Sequence, residues 1–247
     1  MQTQMQWQVV VRDADEAVAA VRAGAERLEI ASTALEVIRA AVQRVRYLRD
    51  GVVIVVDLAT GDATSAALAL RARQLADCGV DAVQVPVPGG PDGELRLIRL
   101  GALAREGVPV VPVLAVPTSR SAGVDDDPAR LARQVAVAAA QSFAAVLLDL
   151  TAAGGAGPGV EVVEPGGLVG AITVLRRRGA VVGLRAAPRP RDVARLLHWA
   201  PDFACLTCQE RGEREPLVLD AARVTQWHVG LAARQRPGGA SAPGVAR

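Results

Sequence analysis

The chain has 247 residues, is 51% hydrophobic and 22% charged, and carries a formal net charge of +2, the balance of one enzyme-sized globular domain and not of a disordered or fibrous chain. No stretch reaches the roughly 18 uncharged apolar residues of a membrane helix. No basic cluster precedes an apolar core at the N-terminus, so a cytoplasmic protein without a membrane anchor is expected.

Eight β-branched runs alternate with Ala/Leu/Arg stretches of helical period. The predicted strands are Gln8 to Arg12, Arg27 to Ala31, Val52 to Leu58, Ala82 to Val87, Val108 to Val113, Ala145 to Leu150, Ala180 to Arg185 and Phe203 to Thr207. The helices that follow them in turn are Ala14 to Arg22, Ala34 to Arg49, Ser65 to Asp77, Glu94 to Arg105, Pro128 to Gln141, Leu168 to Arg178, Pro190 to His198 and Asp220 to Arg234. Gly24, Gly79, Gly107 and Gly179 stand where a helix ends in a left-handed residue. Asp13, Thr33, Thr64 and Asp127 stand where a helix is capped at its start.

This rhythm predicts an α/β fold, a single (β/α)8 TIM barrel over residues 1–235, followed by a disordered Pro/Gly/Ala/Ser-rich tail over 236–247. An open doubly wound sheet is the alternative. It is disfavoured because no GxGxxG follows the first strand and no lysine exists to complete a phosphate-binding GxxxxGK[ST].

Lysine and asparagine are absent, so arginine supplies all 28 basic residues. A GC-rich coding bias accounts for the pattern, but the chemical consequence holds whatever the cause. Without a side-chain amine the chain cannot form the lysine Schiff base that many carbonyl-processing enzymes use. The sequence pI near 8.7 reflects scattered arginines. With 2% aromatics there are few surfaces on which bases could stack, so no nucleic-acid partner is expected.

In such a barrel the chemistry sits at the C-terminal ends of the strands. The candidate catalytic residues are therefore Asp149, Asp57 and Glu29, and the candidate substrate-binding residues are Gln84, Arg185 and Thr207, with Gln209 nearby. Asp57 and Asp149 close the apolar runs VVIVVD and AAVLLD, where an unpaired carboxylate is costly; Arg185 is the expected partner. The competing reading is an ion-pair network with no chemistry.

No cofactor and no metal site are expected. Cys205 and Cys208 form a lone CxxC on or beyond a strand, Cys78 stands apart, and His198 and His228 fall on predicted helices. No GxSxG is present. The glycine-rich segment 152–165 has the composition of a lid. Arg185, Arg189 and Arg211 could lend charge to an anion after strands seven and eight.

Three segments carry a family likeness. VRDADEAVAAVRAGAERLEI, LATGDATSAALALRARQLADCGVDAVQV with its turn at Gly61 and Asp62, and GLRAAPRPRDVARLLHWAPDF with LDAARV resemble the (5-formylfuran-3-yl)methyl phosphate synthase family of methanofuran-type cofactor biosynthesis. The likeness runs nearly end to end and is cumulative, with no single short motif.

The resemblance implies a barrel lyase that condenses two molecules of glyceraldehyde 3-phosphate through a Schiff-base lysine on strand two. At that position stands Ala31. Family lysines on strand four and after the strand-six aspartate are replaced by Gln84 and Ala153; the aspartate itself is kept as Asp149. The phosphate-binding Ala-Gly-Ser turn becomes Arg185, Ala186 and Ala187, and the strand-eight Arg-Gly pair becomes Thr207 and Cys208.

Two functions are therefore expected to compete. One is a non-catalytic or regulatory paralogue, a homo-oligomer or a partner of an active lysine-bearing homologue. The other is an enzyme repurposed for acid/base chemistry on a small anionic metabolite gripped by Arg185.

Overall fold

The computed structural model describes residues 5–58, 65–117, 129–151, 165–186 and 198–206. The strands are β1 (Gln6–Val11), β2 (Arg27–Ile30), β3 (Val53–Asp57), β4 (Ala82–Val87), β5 (Val110–Ala115), β6 (Ala145–Asp149), β7 (Val181–Ala186) and β8 (Phe203–Leu206). Among the described residues the helices are α1 (Ala14–Arg22), α2 (Leu35–Leu48), α3 (Ser65–Ala76), α4 (Gly90–Arg105), α5 (Ala129–Gln141) and α6 (Pro165–Arg177).

All neighbouring strands are parallel, and β8 pairs with β1 to close the ring. The fold is the TIM barrel that the alternating pattern implies. No helix among the described residues is long and apolar enough to cross a membrane. All but the last residue of the helix expected from Pro190 to His198, the helix expected from Asp220 to Arg234, the tail, residues 152–164 of the glycine-rich segment, Thr64, Asp127, Arg189, Thr207, Cys208, Gln209, Arg211 and His228 lie outside the described residues. His198 lies within them and is exposed.

The period of two along each strand sorts side chains into two layers. Leu28 and Ile30, Ile54 and Val56, Val146 and Leu148, and Val182 and Leu184 face the helices in the larger core. Val55, Ala82, Val111, Val113, Leu147, Phe203 and Cys205 fill the inside of the ring as a separate cluster. Enclosing each large apolar side chain contributes about 1.5–3 kcal/mol.

The expected glycines do end their helices, with φ of 100° at Gly24, 86° at Gly79, 87° at Gly107 and 83° at Gly179. These turns also correct two strand boundaries. The Val108 N–H donates back to Leu103 O (3.1 Å) and the Ala180 N–H to Leu175 O (3.2 Å), so both residues finish a helix. The ladders start later, at Val110 and Val181.

At the other end of the helices Asp13 caps α1 as expected, accepting from Asp15 N and Glu16 N at 2.9 Å each. Thr33 does not cap α2. That helix begins after Ala34, which has no side-chain cap, and it is Ser32 Oγ that accepts from Ala34 N at 3.2 Å. Helices α4 and α6 start three or more residues earlier than expected because proline is tolerated in a first turn, whose N–H groups have no helical acceptor.

Two acidic residues lock the N-terminal side of the ring in the same way. Asp81 Oδ2 accepts from Ile54 N (2.6 Å) and from Arg46 of α2 (2.6 Å). Asp202 Oδ2 accepts from Val182 N (2.7 Å) and from Arg176 Nε of α6 (3.2 Å). Each ties a strand to its neighbour and to a helix.

Gly183 faces the ring of Phe203 inside the barrel, and a Cβ there would overlap that ring. Gly183→Ala is expected to destabilise the fold by about 1–3 kcal/mol through overpacking. Urea unfolding should show the loss, and adding Phe203→Leu should recover part of it.

Candidate functional site

The alternation that buries Leu28 and Ile30 outward turns Glu29 inward, and the same register turns Asp57, Gln84, Asp149 and Arg185 into the ring. Asp57 pairs in register with Gln84, and Asp149 with Arg185. Five of the six candidate residues thus meet at the C-terminal mouth. The sixth, Thr207, lies outside the described residues.

Arg185 is the centre of this cluster. Its Nη2 donates to Gln84 Oε1 at 2.7 Å and to the two oxygens of Glu29 at 3.2 and 3.3 Å. The same nitrogen lies 2.9 Å from Asp57 Oδ2, and Nη1 lies 3.6 Å from Asp149 Oδ2. The pairing expected between Arg185 and the two strand-end aspartates is present, and Glu29 joins it.

Sequence reasoning missed Gln8. This side chain is fully enclosed, and its Nε2 donates to Glu29 Oε2 at 2.7 Å. The available signal was an amide within the apolar run of the first strand, in phase with the inward positions.

Thr151 holds Asp149 from beyond β6. Its N–H and Oγ1 donate to Asp149 Oδ1 at 2.7 and 2.6 Å. One oxygen is thereby fixed to the backbone turn, and the other faces Arg185.

The electrostatics follow from burial. Desolvation raises the Glu29 carboxyl above its ordinary range; Arg185 and the Gln8 hydrogen bond oppose this, while the negative charge of Asp57 adds to it. Burial works against the Arg185 cation, but Glu29, Asp57 and Asp149 outweigh it and hold the guanidinium charged more firmly than usual. Cys205, also enclosed, has its thiol pushed up first by burial and then by Glu29, which makes it a poor nucleophile. Among the described residues no three His, Cys, Asp or Glu side chains are grouped to hold a metal ion.

Removing the shared cation leaves three carboxylates facing one another. Arg185→Met is expected to cost about 3–5 kcal/mol at neutral pH, as breaking a buried ion pair does, with part of the loss recovered on acidification. Glu29 supplies a separate pH signature. Its proton affinity is higher in the folded chain, so its contribution to stability is complete below the ordinary carboxyl range and is lost as pH rises through the folded value. Denaturation across that range should show this decline in the unsubstituted chain and not in Glu29→Gln.

Comparison with known proteins agrees on the fold. No family model matches the chain, and no curated protein matches it. Solved structures do. The phosphoribosylanthranilate isomerase of Thermotoga maritima is 15% identical, covering 93% of this chain and 99% of its own, with a TM-score of 0.59. That of Thermus thermophilus is 18% identical over 94% and 100%, with a TM-score of 0.58. A 2,3-dimethylmalate lyase of the PEP mutase/isocitrate lyase superfamily is 14% identical over 95% and 81%, with a TM-score of 0.59. At these identities the likeness is one of architecture: the chain is similar to TIM-barrel enzymes of several chemistries.

Proposed function

We propose that this protein is a divergent, lysine-free relative of the furan phosphate synthase barrels that has lost Schiff-base chemistry and serves as a non-catalytic or regulatory paralogue in the cytoplasm. The observation that carries the reading is the state of Arg185. One guanidinium is shared among Glu29, Asp57, Gln84 and Asp149, and so is not free to grip an anionic substrate. Ala31, which stands where the resemblance puts the covalent lysine, offers no nitrogen nucleophile. The partner that fits this role is a lysine-bearing homologue in a mixed oligomer.

Borohydride reduction in the presence of glyceraldehyde 3-phosphate, followed by peptide mapping, should find no side chain modified. Co-expression with a lysine-bearing homologue should give a stable mixed complex. A side-chain adduct would end the first part of the reading, and two species that never associate would end the second.

Glu29 favours a second reading, a proton-transfer enzyme. A carboxyl that keeps its proton above the usual range is suited to act as an acid. Asp149, fixed at one oxygen by Thr151, would be the base. In a substrate screen, Asp149→Asn should then lower kcat by about a hundredfold or more, and Glu29→Gln should remove one limb of the pH–rate profile. An activity indifferent to both substitutions would count against it.

A further inference from the structure

The acceptors at the mouth outnumber the donors that serve them. Among the described residues Glu29, Asp57 and Asp149 face a single guanidinium. Asp57 Oδ1 and Gln8 Oε1 are enclosed and receive no hydrogen bond. They project from β3 and β1, the strands on either side of β2, which carries Glu29. Gln8 is 0% exposed, and its amide is turned into the cluster, because Nε2 already donates to Glu29. A buried acceptor left without a donor costs about 1–3 kcal/mol.

Asp57 provides the approach from solvent. Its side chain is 29% exposed, against 8% for Glu29 and 11% for Asp149. Of the three carboxylates Asp57 is therefore the most open to solvent, although its unbonded Oδ1 is enclosed.

Three ligand chemistries can be compared. A metal ion needs ligands converging on one point, whereas these carboxylates are spread around Arg185, and none of them is grouped for an ion among the described residues. A phosphate or carboxylate needs a free cation, but Arg185 already donates to Glu29 and Gln84 and is ion-paired with Asp57 and Asp149, and among the described residues the surplus charge of the cluster is negative. A primary ammonium brings one positive charge and three N–H donors. It offsets the surplus and serves the open acceptors while Arg185 stays in place.

We infer that the barrel mouth binds a small primary ammonium compound, received by Asp57 and by the acceptor side of Gln8 among the neighbouring carboxylates. The inference deepens the reading above by naming the ligand class of that lysine-free mouth. Its test is separate, since borohydride trapping probes the missing covalent chemistry and amine binding does not.

Calorimetric titration of the purified full chain near neutral pH, with methylammonium, tetramethylammonium and inorganic phosphate as probes, decides it. Methylammonium should bind saturably. Tetramethylammonium, which has the charge but no N–H, should bind at least about tenfold more weakly, and phosphate should give no saturable heat. Asp57→Asn should weaken methylammonium by about tenfold or more, equivalent to about 1.4 kcal/mol. Equal binding of the two cations, or phosphate binding in place of both, would overturn the inference. If Asp57→Asn does not fold, the three-probe comparison on the unsubstituted chain decides alone.

Discussion

The constraint on which this molecule depends is that a closed parallel barrel has an inside. Every second residue of every strand must be accommodated there, away from bulk water. Apolar side chains meet the demand on most of the ring. Where the sequence places carboxylates instead, each would lose several kcal/mol of hydration unless an opposite charge and hydrogen bonds replace it. Arg185 is that replacement. Its position on β7, in register with Asp149 and across the ring from Glu29 and Asp57, makes the charged inner layer tolerable.

Arginine suits this task better than lysine would. A planar guanidinium presents five N–H donors in a fixed fork, so one cation can serve Glu29, Gln84, Asp57 and Asp149 at once. A lysine ammonium has three donors at the end of a flexible stem and loses its charge more readily when enclosed. The absence of lysine therefore matters in two ways. It removes side-chain imine chemistry, and among the described residues it leaves the mouth organised by a cation that stays charged throughout the accessible pH range.

Much of this was legible in the sequence. The strand rhythm gave the barrel, since β-branched runs spaced by amphipathic stretches have few other solutions. Asp57, Asp149 and Arg185 stood out because a charge that closes an apolar run needs a partner. The errors have local causes. Val108 and Ala180 read as strand but spend their N–H groups on helix carbonyls, and the first strand extends back to Gln6 because closure against Phe203 gives it a partner that the local pattern does not reveal. Gln8 was missed for a different reason: its role depends on Glu29 of the next strand, a relation set by register and invisible in either run alone.

The lower part of the ring shows what happens to a cation without such company. Arg27 also points inside, but its guanidinium carbon lies over the Phe203 ring, 4.1 Å from the centroid. Gln6 accepts from it only at 3.5 Å, and its Nε has no partner. Burial accordingly lowers its proton affinity, whereas that of Arg185 is raised. Two arginines in one barrel are thus driven in opposite directions, because burial outweighs the pull of Asp81 on Arg27 whereas Glu29, Asp57 and Asp149 outweigh it at Arg185. What keeps Arg27 in place is the aromatic face below its charge, and that face fits only because residue 183 has no side chain. The floor of the ring therefore rests on Gly183, as the mouth rests on Arg185, and both lie on β7, two residues apart on its inner face.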